Sequence, residues 1–179
     1  MLEGSNRVIL LDRDGVLNVD RPDSVKTLDE LQMEAGAVAG TARLVDAGYT
    51  LAVITNQSAV GRGAMSRTTL DAVNAEIDRQ LGGTVKHWYV CDHAPEARCR
   101  CRKPDTLLLE QAHDDLGFEP SRSWFVGDAG RDIEAARRFG VQPALLRTGK
   151  GAATAREYSD VPVWDDLDEF ARSVISGGV

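Results

Sequence analysis

Asp12 and Asp14 are the first residues whose types and spacing suggest chemistry, within Arg7 to Asn18, Arg-Val-Ile-Leu-Leu-Asp-Arg-Asp-Gly-Val-Leu-Asn. Residues two apart in an extended chain point the same way. Both carboxylates are therefore expected on one side, with Arg13 pointing away. Two carboxylates held together repel, a cost tolerable if a divalent cation sits between them or one stays protonated. Gly15 allows a sharp turn beside a ligand. Asp-x-Asp-Gly is also common in plain turns, so the motif gains meaning only from partners. Asp128 is one, in Gly127-Asp128-Ala129-Gly130-Arg131-Asp132. Mg²⁺ takes one or two carboxylates and completes its shell with water and phosphate oxygens. Asp12, Asp14 and Asp128 together could form such an oxygen-rich pocket. Lys103, in Arg102-Lys103-Pro104, is expected directly before a helix, where it could neutralise a phosphoryl group and a carboxylate. The Thr55 hydroxyl and nearby backbone N–H groups could donate to phosphoryl oxygens. Asp132 taken alone would only favour the N-terminus of its helix.

A second group of chemically competent residues is compact. The only three cysteines, Cys91, Cys99 and Cys101, share a short loop with His93. An odd, clustered set argues against a disulfide framework and for metal. Three thiolates and one imidazole make a closed tetrahedral Zn²⁺ site with no position left for substrate. The zinc is therefore expected to be structural, fixing the loop that leads into Arg102 and Lys103. His87 and His113 have no comparable setting.

The elements that must position these groups follow from periodicity. Val8 to Leu11, Tyr49 to Ile54, His87 to Cys91, Ser123 to Val126 and Val141 to Leu146 have the pattern of strands. Helices are expected over Gly36 to Ala47 with Val38, Ala42 and Val45 on one face, and after the N-cap Ser66 with Leu70, Val73, Ile77 and Leu81 in a stripe. Others are expected from Pro104 to about Leu116, from Asp132 to Phe139, and from Asp165 to Ser176. Val19 to Met33, Gln57 to Met65 and Arg147 to Gly151 are expected as loops or turns. Residues 1–6 form a polar lead-in, and the last three residues are expected to fray. Strands alternating with helices predict an α/β fold, a Rossmann-like three-layer α/β/α sandwich with a mainly parallel sheet. In such sheets ligands bind beyond the carboxyl ends of the strands, and Asp12, Asp14, Thr55 and Asp128 all fall there.

A chain of 179 residues fits one domain, here 1–179 with the zinc loop at 91–101. Its formal charge of −7 argues against a broad nucleic-acid surface. No apolar run suits a membrane span and no signal-peptide pattern is present, so a cytoplasmic protein is expected, and a monomer is the expected state.

With these residues in order, the chain resembles the haloacid dehalogenase superfamily of phosphohydrolases. Leu11 to Val16 matches its first motif, Thr55-Asn56 its second, Lys103 its third, and Gly127-Asp128 with Asp132 its fourth. The resemblance implies that Asp12 is the nucleophile, that Asp14 is the general acid/base, and that Mg²⁺ is held by Asp12, the Asp14 carbonyl and Asp128. It further implies that Thr55 and Lys103 stabilise phosphoryl charge, with Asp132 in support. The inserts between motifs are too short for a separate cap domain. The Cys-x-His and Cys-x-Cys-Arg-Lys-Pro pattern resembles the branch containing heptose bisphosphate phosphatases and histidinol-phosphate phosphatases. Thr55-Asn56-Gln57-Ser58 followed by Gly61-Arg62-Gly63 is closer to the heptose enzymes. That likeness implies a small phosphorylated sugar as substrate. The reaction would remove the 7-phosphate of D-glycero-D-manno-heptose 1,7-bisphosphate on the way to nucleotide-activated heptose for lipopolysaccharide or surface glycans. Substrate contacts implied are Asp20, Arg21, Pro22, Asp23, Asn56, Gln57, Ser58, Arg62, Arg102 and Ala129, with Arg102 on the distal phosphate. Ala59 and Ala129 depart from the usual glycine and lysine. Histidinol phosphate is the rival substrate. A non-catalytic phosphosugar-binding module would not need Asp14.

Overall fold

The structure, a computed structural model, describes residues 7–177. The polar lead-in at 1–6 and two of the three residues expected to fray, 178–179, lie outside the described residues. Six strands form one sheet: β1 (Val8–Leu11), β2 (Thr50–Asn56), β3 (His87–Cys91), β4 (Trp124–Gly127), β5 (Gln142–Leu146) and β6 (Val163–Trp164). Their order is β3-β2-β1-β4-β5-β6, and every pairing is parallel. Alternate side chains of β1 serve opposite faces, so both faces need apolar residues. Ile9 and Leu11 join a core with Leu44, Val73, Ile77 and Phe170. Val8 and Leu10 join a second core with Leu108, Ala112, Phe125 and Ala136. Helices α1 (Ala37–Asp46), α3 (Arg67–Gln80) and α7 (Leu167–Ile175) thus cover one face. Helices α4 (Leu107–Leu116) and α5 (Gly130–Phe139) cover the other. This is the predicted three-layer sandwich. The chain order reverses between β1 and β4, the position where sheets of this order open a ligand crevice.

Several expectations need correction. On α1 the buried residues are Ala37, Gly40, Thr41 and Leu44, while Val38 and Val45 are exposed. The face of small side chains lets α7 close in, and that packing overrides the hydrophobicity of the two valines. Pro104 does not open a helix. The Lys103–Pro104 bond is cis, the Asp105 N–H bonds the Arg102 carbonyl, and α4 begins only at Leu107. Lys103 therefore stands in a turn, held there by contacts stronger than proline's preference for a first helical turn. Within 57–65 lies a one-turn helix, α2 (Ser58–Gly61). Helix α6 (Gly151–Glu157) and the two-residue β6 were not foreseen. The first is alanine-rich without an apolar stripe, and the second is too short to show a period. Ser66 caps α3 as expected, accepting from the Thr69 N–H at 3.0 Å.

Candidate active site

Parallel strands end together, so residues distant in sequence meet at one rim. Asp12 follows β1 and Asp128 follows β4, and the Asp12 N–H bonds the Val126 carbonyl at 2.9 Å. One turn into α5, Asp132 turns back to accept from the Ala129 N–H at 3.1 Å. The carboxylates of Asp12, Asp128 and Asp132 gather within 4.8 Å of one another, all buried. Gly15, with φ +82°, makes this possible, because a Cβ there would lie 2.3 Å from Asp128 Oδ2.

Lys103 enters this group from the side. Its Nζ lies 2.9 Å from Asp12 Oδ1 and 2.7 Å from Asp132 Oδ1, and donates to the Ile54 carbonyl at 2.8 Å. Asn56, at the end of β2, accepts from the Lys103 N–H at 3.0 Å and donates to its carbonyl at 3.2 Å. Asp12 Oδ1 also accepts from the Arg13 N–H at 2.7 Å. Asp12 Oδ2 and Asp128 Oδ1 are left buried with no hydrogen-bond partner. Burial and the Asp132 charge push the Asp12 carboxyl up to about 6, against the opposing pull of Lys103 and Arg131. Burial, Asp12 and Asp132 push Asp128 up to about 7. Crowded, desolvated carboxylates with orphaned oxygens fit a hard divalent cation, whose charge would relieve them.

Asp14 belongs to a different environment from the one expected. The crowding is among Asp12, Asp128 and Asp132, not between Asp12 and Asp14. Arg13 does not point away from both carboxylates; it is fully buried and turns back to Asp14 Oδ1 at 2.9 Å. Asn18 donates to the same oxygen at 2.9 Å, and Gln57 Nε2 donates to Oδ2 at 2.6 Å. Burial alone would raise the Asp14 carboxyl. The Arg13 charge and these three donors outweigh it and hold the group below the usual carboxylate range. Thr55 is buried beside it, its hydroxyl accepting from Gln57 Nε2 at 2.9 Å.

A cavity of about 210 Å³ opens over Asp14. Of the expected substrate contacts, Asp20, Arg21 and Pro22 line it, as do Asn56, Ser58, Arg62 and Arg102. Three do not. Asp23 is exposed and paired with Lys26. Gln57 is buried beneath the cavity, where its amide is occupied by Asp14 and Thr55. Ala129 is buried, its N–H spent on Asp132. The cavity also draws on Ser24, Arg131 and Lys150, which were not expected as contacts. Arg131 sits 3.9 Å from Asp12 Oδ2, and its Nε is buried without a partner, as is Arg102 Nη1. Lys150 pairs with Asp20, and its N–H donates to Asp128 Oδ2 at 2.8 Å. The signal for Lys150 was its place just past β5, at the carboxyl end of a strand.

The cysteine loop leaves β3 at Cys91. Cys91 Sγ lies 3.5 Å from Cys99 Sγ and 3.8 Å from His93 Nδ1, which is 3.2 Å from Cys101 Sγ. All four ligand atoms lie within 4.8 Å of one another. A tetrahedral ion at about 2.3 Å from sulfur spans edges of about 3.8 Å, so the cage fits zinc. Burial and the two neighbouring thiols push the Cys101 thiol far up when no cation is near. Gly61 of α2 rests on the loop so closely that a Cβ would lie 2.2 Å from the Ala94 nitrogen.

Comparison with known proteins agrees with this geometry. A HAD-hydrolase-like family model matches residues 100–170. The D-glycero-beta-D-manno-heptose-1,7-bisphosphate 7-phosphatase of Pseudomonas aeruginosa is 40% identical over 176 residues, 96% of this chain and 99% of the relative. The protein of the same name from Neisseria meningitidis is 37% identical, over 94% of this chain and 95% of the relative. Among solved structures, the D,D-heptose 1,7-bisphosphate phosphatase of B. bronchiseptica, complexed with magnesium and phosphate, superposes with a TM-score of 0.91. It is 32% identical and covers 96% of this chain and 99% of its own. No helix among the described residues is long and apolar enough to cross a membrane. The rim of acids around Lys103, the four ordered motifs and these near-full-length matches lead to one conclusion: the chain belongs to the haloacid-dehalogenase-like phosphatases, in the family of the heptose bisphosphate phosphatases.

Proposed function

We propose that this chain, acting as one catalytic domain, removes the 7-phosphate of D-glycero-beta-D-manno-heptose 1,7-bisphosphate through an aspartyl-phosphate on Asp12. The observation that carries the reading is the asymmetry of the Asp12 carboxylate. One oxygen is held by Lys103 and the Arg13 N–H, while the other is buried and unpartnered. Such a group is oriented, desolvated and open on one side, as an attacking carboxylate should be. Mg²⁺ held by Asp12, the Asp14 carbonyl oxygen and Asp128 would neutralise the phosphate and the crowded acids, and so let the two anions meet.

Asp12 forms a bond to phosphorus as the bond to the sugar oxygen breaks. Asp14 gives that oxygen a proton. Asp14 then takes a proton from the water that cleaves the aspartyl-phosphate. Asp14 rests ionised, ready for the second half. A phosphate dianion arriving beside it raises its proton affinity, so that it takes a proton from solvent for the first, and the proton taken from water in the second half restores that form. Lys103 and Thr55 steady charge on the transferring group, and Asp132 holds Lys103 in place. Cys91, His93, Cys99 and Cys101 would hold a zinc ion that keeps the approach to Lys103 in one shape.

The cations of the cavity favour a second phosphate on the substrate. Arg21, Arg62, Arg102, Arg131 and Lys150 line it against two acids, Asp14 and Asp20. Asp14 is already neutralised by Arg13, and Asp20 by Lys150. Histidinol phosphate carries one phosphate and would leave these guanidinium groups unanswered. The test is phosphate release from the heptose bisphosphate, from sugar monophosphates and from histidinol phosphate, with Mg²⁺ and with a chelator. Mg²⁺-dependent release of one phosphate per bisphosphate, with the highest kcat/KM of the set, is expected. A higher kcat/KM on histidinol phosphate would overturn the substrate.

A further inference from the structure

Arg13 is the largest fully buried side chain among the described residues. A guanidinium deprived of water is costly unless its donors are answered and its charge is used. Two groups answer it. Nη2 meets Asp14 Oδ1, and Nη1 donates to Asn74 Oδ1 at 3.0 Å. Asn74 lies on α3, 61 positions along the chain from Arg13, and is itself buried. Nε has no partner. The guanidinium is thus fixed from only two sides, and removing either lets it move.

We propose that Asn74 is a positioning residue for the reaction: acting through Arg13, it sets where Asp14 presents its carboxylate to the leaving group. The inference rests on Asp14 being the proton donor of the reading above. Neither Arg13 nor Asn74 lines the cavity over Asp14, so neither is positioned to bind substrate there. Asp14 has three polar donors, from Arg13, Asn18 and Gln57. Asn18 and Gln57 are neutral, and both stand within four residues of a motif aspartate or threonine. Among the described residues Arg13 is the only charged donor, and Asn74 is its only tie to a helix. Without Asn74, a buried Nη1 loses its acceptor, and the guanidinium can turn towards the backbone, drawing Asp14 with it or releasing it. The expected defect is specific. Proton donation matters when the departing oxygen is a poor leaving group, and hardly matters when it is a stable phenolate.

The experiment compares kcat/KM, which covers steps only through phosphoryl transfer to Asp12, for a sugar phosphate and for p-nitrophenyl phosphate. Asn74→Ala should lower the first about tenfold and the second less than about twofold. Asn74→Asp, which keeps an acceptor of the same shape, should recover most of the loss. On an Asp14→Asn background, Asn74→Ala should cost nothing further, because the group it positions is gone. Equal losses on both substrates, or an undiminished loss on the Asp14→Asn background, would overturn the inference and leave Asn74 a packing residue. If Asn74→Ala does not fold, the Asn74→Asp and Asn74→Ser pair gives the same comparison. Should Asp14→Asn itself show no dependence on the leaving group, the role of Asp14 falls instead.

Discussion

The two candidate metal sites of this protein are built by opposite means. The cysteine cage takes all its ligands from one loop, Cys91 to Cys101, and offers soft thiolates and an imidazole. The acidic site takes Asp12 and Asp128 from the ends of adjacent central strands, and only the parallel register of β1 and β4 brings them together. The cage is closed and ties down backbone. The acidic site keeps orphaned oxygens and has a titration poised near neutrality. A local cage can stabilise a loop, whereas a site shared by strand ends inherits the rigidity of the sheet. Lys103 links the two, since it follows the last cage residue by two positions and its Nζ neutralises the second.

The sharpest way to separate them is Asp12→Asn. It should abolish turnover, by at least about 10⁴-fold, while zinc content and fold stay intact. Phosphate release and metal analysis check both halves, and residual activity near wild type would remove Asp12 as nucleophile. Cys99→Ser should act from the other side. It should lose zinc, of which the wild type is expected to carry about one per chain, and activity should fall about tenfold as Arg102 drifts while Lys103 stays tied to Asn56. Mg²⁺ affinity should barely change. A zinc-free protein of full activity and unchanged melting temperature would end the distinction.

Arg131→Ala should cost a bisphosphate about tenfold in kcat/KM, ~1.4 kcal/mol, and a monophosphate much less. Arg102→Ala should do the same. Equal losses on both substrates would mean that these guanidinium groups serve the acidic site and not a second phosphate. The smallest effect is on pH dependence. Asp12 at about 6 and Asp128 at about 7 stand above their ordinary 3.8, so the metal-free fold binds more protons than the unfolded chain in that interval. Their stabilisation is complete below about 3.8 and is lost as pH rises through 6 to 7. The chelated enzyme should melt a few degrees lower at about pH 8 than at about pH 5, and Asp128→Asn should flatten that slope. A melting temperature rising with pH would contradict the burial of uncompensated acids.

Much of this was legible because the relevant forces are local. Val8 to Leu11 is apolar at every position, so a strand buried on both faces followed directly, and the fold class followed from its repetition. The cage was legible because its ligands are close in sequence. Long-range packing was not. Nothing near Arg13 announces that Asn74 will receive it, and nothing in Val38 or Val45 says that α7 will choose the opposite face. Asp23 and Gln57 illustrate the same limit: the resemblance implied both as substrate contacts, but side-chain competition sent one to Lys26 and the other beneath Asp14. The cavity residues Arg131 and Lys150 follow from topology more than from motif.

The two hydrogen bonds between Asn56 and the Lys103 backbone have a dynamic consequence. They fasten a loop residue to the last residue of β2 at both its donor and its acceptor. The Lys103 amide therefore opens with the sheet and not with the loop that carries it. Fluctuations of the exposed cysteine loop stop one residue short of the ammonium group, which keeps the slow clock of the central strands.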